Sequence, residues 1–142
     1  PLALLHYQYL IRINTGCDKV EQKYCPFCDE QNYEFEGDLV FTKTDSYPVS
    51  KGHTLVIPKR HISDYFDCTE SEVAELWALV DKTKNSLQDI HAPNGFNIGI
   101  NVGEAAGQTV PHMHIHVIPR YVGDMDDPRG GVRGVIPNKQ KY

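Results

Sequence analysis

Pro111-His-Met-His-Ile-His-Val-Ile-Pro119 alternates without a break. His112, His114 and His116 take one parity, and Met113, Ile115 and Val117 the other. Side chains of a strand repeat every second residue, so a strand over 112–118, ended by Pro119, sets three imidazoles on one face. Second neighbours then stand about 6.5–7 Å apart, close enough to line one small groove. Imidazole is a nucleophile and a proton carrier near neutral pH, so this stripe reads as chemistry. A metal-ligand patch, or a surface stripe without a role, is the alternative.

The flanking sequence supplies the rest of a sheet. Phe96, Ile98, Ile100 and Val102 alternate with Asn97, Gly99 and Asn101, predicting a strand with one apolar and one small or polar face. Gly103 to Gly107 reads as a loop. Upstream, His53-Thr-Leu-Val-Ile57 is bounded by Gly52 and Pro58 and is rich in β-branched residues, as a strand should be. Residues 33–43 read as a hairpin about Gly37-Asp38. The one clear helix spans 69–91, opened by the Thr69/Glu72 capping box and stopped by Pro93-Asn94-Gly95. Its apolar stripe is Val73, Leu76, Trp77, Val80, Leu87 and Ile90, and it reads as core packing. Several strands and one long helix, without βαβ alternation, predict an α+β fold. The helix should pack on the apolar face of an antiparallel sheet, leaving Asn101 and the histidines on the other.

At 142 residues the chain is about one domain long and large enough to hold a core without staples. It begins at Pro1 rather than Met, as a trimmed fragment would. Nineteen acidic against fourteen basic residues leave a formal charge of −5, which argues against bulk nucleic-acid binding but not against a nucleotide in a pocket. No 18-residue apolar run is present, so no membrane span is expected. Leu2 to Ile13 is interrupted by His6, Gln8 and Arg12 and makes a poor secretory signal, and a cytoplasmic location is expected. Of the four cysteines, Cys25 and Cys28 form Cys-x-x-Cys, a weak signal on its own. It fits a metal site, a redox pair or two reduced buried thiols. Cys17 and Cys68 read as bystanders.

Gly107-Gln-Thr-Val-Pro-His-Met-His-Ile-His-Val-Ile-Pro-Arg120 resembles the His-x-His-x-His signature of the histidine triad superfamily. Gly52-His-Thr-Leu-Val-Ile-Pro-Lys-Arg-His61 and Gly95-Phe-Asn-Ile-Gly-Ile-Asn-Val-Gly-Glu-Ala-Ala-Gly107 resemble it too. The resemblance covers about residues 25–137 and implies a triad domain over 25–142 with residues 1–24 as an extension. It implies a nucleotide hydrolase or transferase in which the middle histidine, His114, attacks the α-phosphorus. A neutral imidazole escapes the repulsion of the phosphate oxygens and leaves a labile P–N bond. By the same resemblance His116 is a phosphate-side donor, Gln108 and the Gly107 amide contact phosphate, and Asn101 touches ribose or phosphate. His53 stands beside the phosphates, with a backbone-bonded buried histidine as its alternative. Asp45 binds ribose hydroxyls, and Phe35 and Phe41 sandwich the base.

Some branches of the superfamily hold a structural zinc on Cys-x-x-Cys plus two histidines, which implies zinc at Cys25, Cys28, His61 and His112. Four nitrogen and sulfur ligands would close such a site. The tail, Asp126-Asp-Pro-Arg-Gly-Gly-Val-Arg-Gly-Val-Ile-Pro137, resembles bacterial triad proteins that hydrolyse diadenosine polyphosphates. Arg129 and Arg133 either meet distal phosphates or lie in a solvated turn. The resemblance also implies a homodimer paired through the long helix and its neighbouring strand. Three functions therefore compete: a dinucleoside polyphosphate hydrolase, a phosphoramidate hydrolase or nucleotidyl transferase, and a zinc-stabilised nucleotide-binding module with little turnover.

Overall fold

The computed structural model describes residues 24–142. Cys17, the 2–13 segment and all but the last residue of the expected extension lie outside the described residues. Five strands form one antiparallel sheet: β1 (Phe35–Glu36), β2 (Val40–Thr44), β3 (Thr54–Pro58), β4 (Gly95–Ile100) and β5 (Ile115–Arg120). Their order across the sheet is β1-β2-β3-β5-β4. The single α-helix among the described residues, α1 (Glu70–His91), connects β3 to β4. Among the described residues no helix is long and apolar enough to cross a membrane.

Thr69 caps α1 as the sequence predicts. Its hydroxyl accepts the Glu72 N–H at 3.2 Å, and the Glu72 carboxylate accepts the Thr69 N–H at 2.8 Å. Two open amides of the first turn are thereby satisfied. Arg60 grips the same carboxylate with two bonds of 2.9 Å, which fastens the start of the β3–α1 loop to the helix. Ala92 ends the helix in the left-handed region, at φ 48°. The buried stripe is Glu72, Leu76, Leu79, Val80, Thr83 and Leu87. Trp77 and Ile90 were expected in it but are 42% and 67% exposed. Trp77 sits about 100° around the axis from Leu76, off the buried stripe, and Ile90 belongs to the last turn.

The sheet is covered on both faces. Leu76, Leu79, Val80 and Leu87 of α1 pack on Val40, Val56, Met113, Ile115 and Val117. On the opposite face Cys25 and Phe27 of the N-terminal turn pack on Phe41, Leu55 and Ile57. Leu55 pairs with His116, so the histidines share this second face, as expected. It is not merely polar: a small apolar cluster supports it.

The histidine strand differs from its expected limits. Ladder pairing starts at Ile115, leaving His112 and His114 in the lead-in, and runs through Pro119 to Arg120. Pro119 does not end the strand because it lies past the last β3–β5 pair, Thr54 with Val117. Its carbonyl accepts the Ser50 hydroxyl at 2.7 Å, so no ladder bond needs its missing N–H.

Candidate active site and metal centre

Two clusters meet along residues 112–116. In the first, Cys25, Cys28, His61 and His112 bring one ligand atom each to within 4.8 Å of one another. Cys25 Sγ lies 3.3 Å from His112 Nδ1, and Cys28 Sγ lies 3.2 Å from His61 Nδ1 and 3.6 Å from His112 Nδ1. A tetrahedral ion with bonds of about 2.0–2.3 Å separates its ligand atoms by roughly 3.3–3.8 Å. The tautomer agrees. His112 Nε2 donates to Pro58 O at 2.8 Å, which leaves Nδ1 as a lone pair turned to the sulfurs. Burial lowers the His112 pKa to about 4, so the ring is neutral. Burial, then the neighbouring Cys25 thiol, pushes the Cys28 thiol up to about 11. A bound cation reverses that preference, because it stabilises the thiolate. This donor set fits a divalent metal.

The second cluster holds the other two triad histidines. His114 is 8% exposed, and its Nδ1 lies 2.8 Å from His112 O. That carbonyl can only accept, so Nδ1 carries the proton and Nε2 keeps a lone pair. Burial pushes the His114 pKa down and keeps the ring neutral. The tautomers of the remaining pair follow from one amide. Val49 N–H donates to His53 Nδ1 at 3.2 Å, so His53 Nε2 carries the proton. It points at His116 Nδ1, 3.0 Å away, with an Asp45 carboxylate oxygen at 3.4 Å. His116 Nδ1 therefore accepts, and His116 Nε2 is a free donor. Burial, followed by His114 and His53, lowers the His116 pKa to about 4.

Asp45, His53 and His116 also lie close enough to share an ion. The tautomers oppose it, because His53 Nε2 would have to lose a proton while Nδ1 stays committed to Val49. A loop tight enough to deliver His53 needs glycine before it: Gly52 has φ 87°, and a Cβ there would stand 2.8 Å from His91 Cδ2.

The other expected residues are placed less directly. Gln108 is tied to protein: Oε1 accepts Gly103 N–H at 2.9 Å, and Nε2 donates to Ser63 O at 2.8 Å and Val110 O at 3.2 Å. The Gly107 N–H donates to Glu104 O at 2.9 Å. The loop before the histidines is thus closed on itself. Asn101 lies half-buried one residue past Ile100, the last β4 partner of β5. Asp45 turns one oxygen to Tyr47 N–H and the other to His53.

The aromatic sandwich is corrected. Phe35 packs toward α1, with Lys82 over its ring at 4.3 Å, while Phe41 is 1% exposed beneath Tyr33 on the histidine face. They lie on opposite sides of the sheet. Lys43, beside Leu55 on the histidine face, forms an ion pair with Glu30. That pairing holds the Glu30 carboxyl below its usual range. In the tail, Arg129 pairs with Asp127 at 2.8 Å, and Arg133 donates to the carbonyls of Lys139 and Gln140.

Sequence reasoning passed over Phe27, Pro58 O and Val49 N–H. The last two are backbone groups with no side-chain signature; Phe27 was visible only as filler between two cysteines.

The family described as HIT domain matches residues 30–123. The AP-4-A phosphorylase of Mycobacterium tuberculosis is 40% identical over 89 residues, 62% of this chain and 46% of that protein. The asymmetrical bis(5'-nucleosyl)-tetraphosphatase of Schizosaccharomyces pombe is 41% identical over 80 residues, 56% of this chain and 44% of that protein. The chain thus spans less than half the length of these two curated relatives. A crystal structure of a Zn-bound histidine triad family protein from Mycobacterium smegmatis superposes with a TM-score of 0.64 at 38% identity. It covers 70% of this chain and 77% of that one. Matched over most of its length, with the three histidines inside the match, the chain belongs to the HIT family.

Proposed function

We propose that the chain is a nucleotide hydrolase that cuts a dinucleoside polyphosphate, or a similar nucleotide conjugate, at the α-phosphate through a nucleotidyl-His114 intermediate. The observation that carries this reading is the pair of opposite tautomers side by side: His114 Nε2 with a lone pair and His116 Nε2 with a proton. In the first step His114 Nε2 attacks the α-phosphorus and the P–O bond to the leaving polyphosphate breaks. His116 keeps its Nε2 proton and hydrogen-bonds with it to the leaving oxygen, which departs as the polyphosphate anion. Water then attacks phosphorus and passes its proton to solvent, the P–N bond breaks, and the mononucleotide leaves with His114 and His116 both neutral.

Asn101 and Asp45 bind the nucleotide from the two sides of the triad strand. His53 hydrogen-bonds to His116 and presents it to the phosphates. Gln108 reaches phosphate by exchanging its bonds to Ser63 and Val110, which frees the Gly107 loop to follow. The metal is a structural zinc on Cys25, Cys28, His61 and His112. With four protein ligands it has no open position for chemistry. A homodimer through α1 and the edge strand β4 is supported by the half-exposed outer strand and the exposed Trp77. A cytoplasmic location belongs to the same reading.

Diadenosine tetraphosphate plus water gives AMP and ATP; with inorganic phosphate as acceptor it gives ADP and ATP. The second outcome, a nucleotidyl transfer, is favoured by the likeness to the AP-4-A phosphorylase. Product analysis with and without phosphate separates the two, and a nucleoside phosphoramidate tests the remaining hydrolase. The His114→Asn variant should lose roughly 10³-fold or more in turnover. In the unaltered chain, mass spectrometry of quenched reactions should find a nucleotide on the peptide containing His114. Nucleotide binding without turnover in the unaltered chain would instead make it a binding module.

A further inference from the structure

One buried side chain in the metal turn has no part in the reading above. Cys28 N–H donates to Cys25 O at 3.2 Å and closes a turn that drives Phe27 inward. Phe27 is 8% exposed and packs among Cys25, Phe41, Leu55 and Ile57. Its ring meets that of His112 at 5.7 Å between centroids and 73°, and that of His114 at 5.3 Å and 75°. Both contacts are T-shaped, a geometry that aromatic rings prefer.

The bond from His114 Nδ1 to His112 O selects a tautomer, but a single bond along the ring edge leaves the ring free to tilt. The χ2 torsion of histidine is broad and gives little restraint of its own. A packed ring against its side supplies what is missing. His116 makes a further T-shaped contact with the ring, 4.9 Å away and at 70°. We infer that Phe27 is a positioning residue: the Cys25–Cys28 turn that fits a metal also sets the tilt of the His114 ring, through the T-shaped contact of Phe27 with that ring and His112 O at its Nδ1. The inference rests on the reading of His114 as the nucleophile.

The test compares Phe27→Ala and Phe27→Leu with the unaltered protein, purified with zinc. Phe27→Ala should lower kcat on diadenosine tetraphosphate about 10- to 100-fold, since small misplacements of reacting groups cost that much. KM should stay within about threefold and the metal content at that of the unaltered protein. Phe27→Leu, which keeps more bulk, should lose only about three- to fivefold in kcat. Long-range 1H–15N spectra should show His114 as one tautomer in the unaltered protein and as a mixture in Phe27→Ala. This readout holds whichever nucleotide is the substrate.

A kcat within twofold in Phe27→Ala, with His114 still in one tautomer, overturns the inference. So does a fall in kcat that only tracks the fraction of folded or metal-loaded chains. If Phe27→Ala fails to fold, Phe27→Leu decides: a threefold loss at full metal content supports the inference, and unchanged kcat and spectra overturn it. Turnover that survives His114→Asn removes the underlying reading instead, whatever Phe27 does.

Discussion

The histidine face stays uncharged because its rings are buried together. The ordinary histidine value is 6.5, and burial takes His116 down to about 4, with His114 and His53 adding to it. Between pH 6.5 and about 4 the unfolded chain therefore binds a proton at residue 116 that the folded chain does not. Stability is at its full value above 6.5 and falls as pH drops toward 4, by at most about 1.4 kcal/mol per pH unit for one group. Glu72, held at about 2 by Arg60, has the opposite chemistry: its contribution is lost only as pH falls from 4.5 toward 2. The window from 6.5 to 4.5 thus belongs to the imidazoles. His116→Gln should flatten the dependence of the melting temperature on pH there, relative to the unaltered protein, by up to one proton's slope. Parallel curves for the two proteins would contradict this assignment. The pattern of residues exposed the nucleophile candidate, because alternation is a property of side chains. It did not name the backbone groups, two carbonyls and one amide, that decide the tautomers.

The elements were legible to different depths. The hairpin, the strand before Pro58, the strand after Gly95 and the helix all lie within a residue or two of their expected places, because caps, turns and alternation are local. The strand of the histidines was shifted, since its limits depend on what β3 and β4 offer as partners. Two expected members of the helix stripe, Trp77 and Ile90, lie outside it, since the sheet beneath decides which part of a broad apolar arc is covered. Thr69 is a local device with a local cost. Thr69→Ala removes the acceptor for the Glu72 N–H but leaves Arg60 on the Glu72 carboxylate. About 1 kcal/mol should be lost, read from urea unfolding with an unchanged m-value. A loss near zero would mean that Arg60 alone holds this end of the helix.

At the scale of the whole fold, the described residues form two cores of different kinds on either side of one sheet. The α1 side is held by hydrocarbon: Val40, Val56, Leu76, Val80, Met113, Ile115 and Val117. The other side is anchored by the Cys25–Cys28 turn, whose partners come from the loop after β3 and from His112. If a metal clamps that turn, chelation should raise amide hydrogen exchange around residues 24–30 and 110–114 while α1 stays protected. Uniform deprotection of both faces would indicate one cooperative core, and no change would remove the metal from the account. This division could not be read from residue patterns, because the second cluster joins residues 25–28 to residues far along the chain.

Both ring nitrogens of His112 and its main-chain oxygen are engaged. One ring nitrogen is tied to Pro58, the other faces two sulfurs, and the main-chain oxygen steers its neighbour's ring. An amide side chain can imitate one of the ring's two nitrogens but not both at once. A saturation library read by growth or binding should therefore tolerate fewer alternatives at this site than at position 116, although the proposed reaction puts position 116 nearer the bond that breaks.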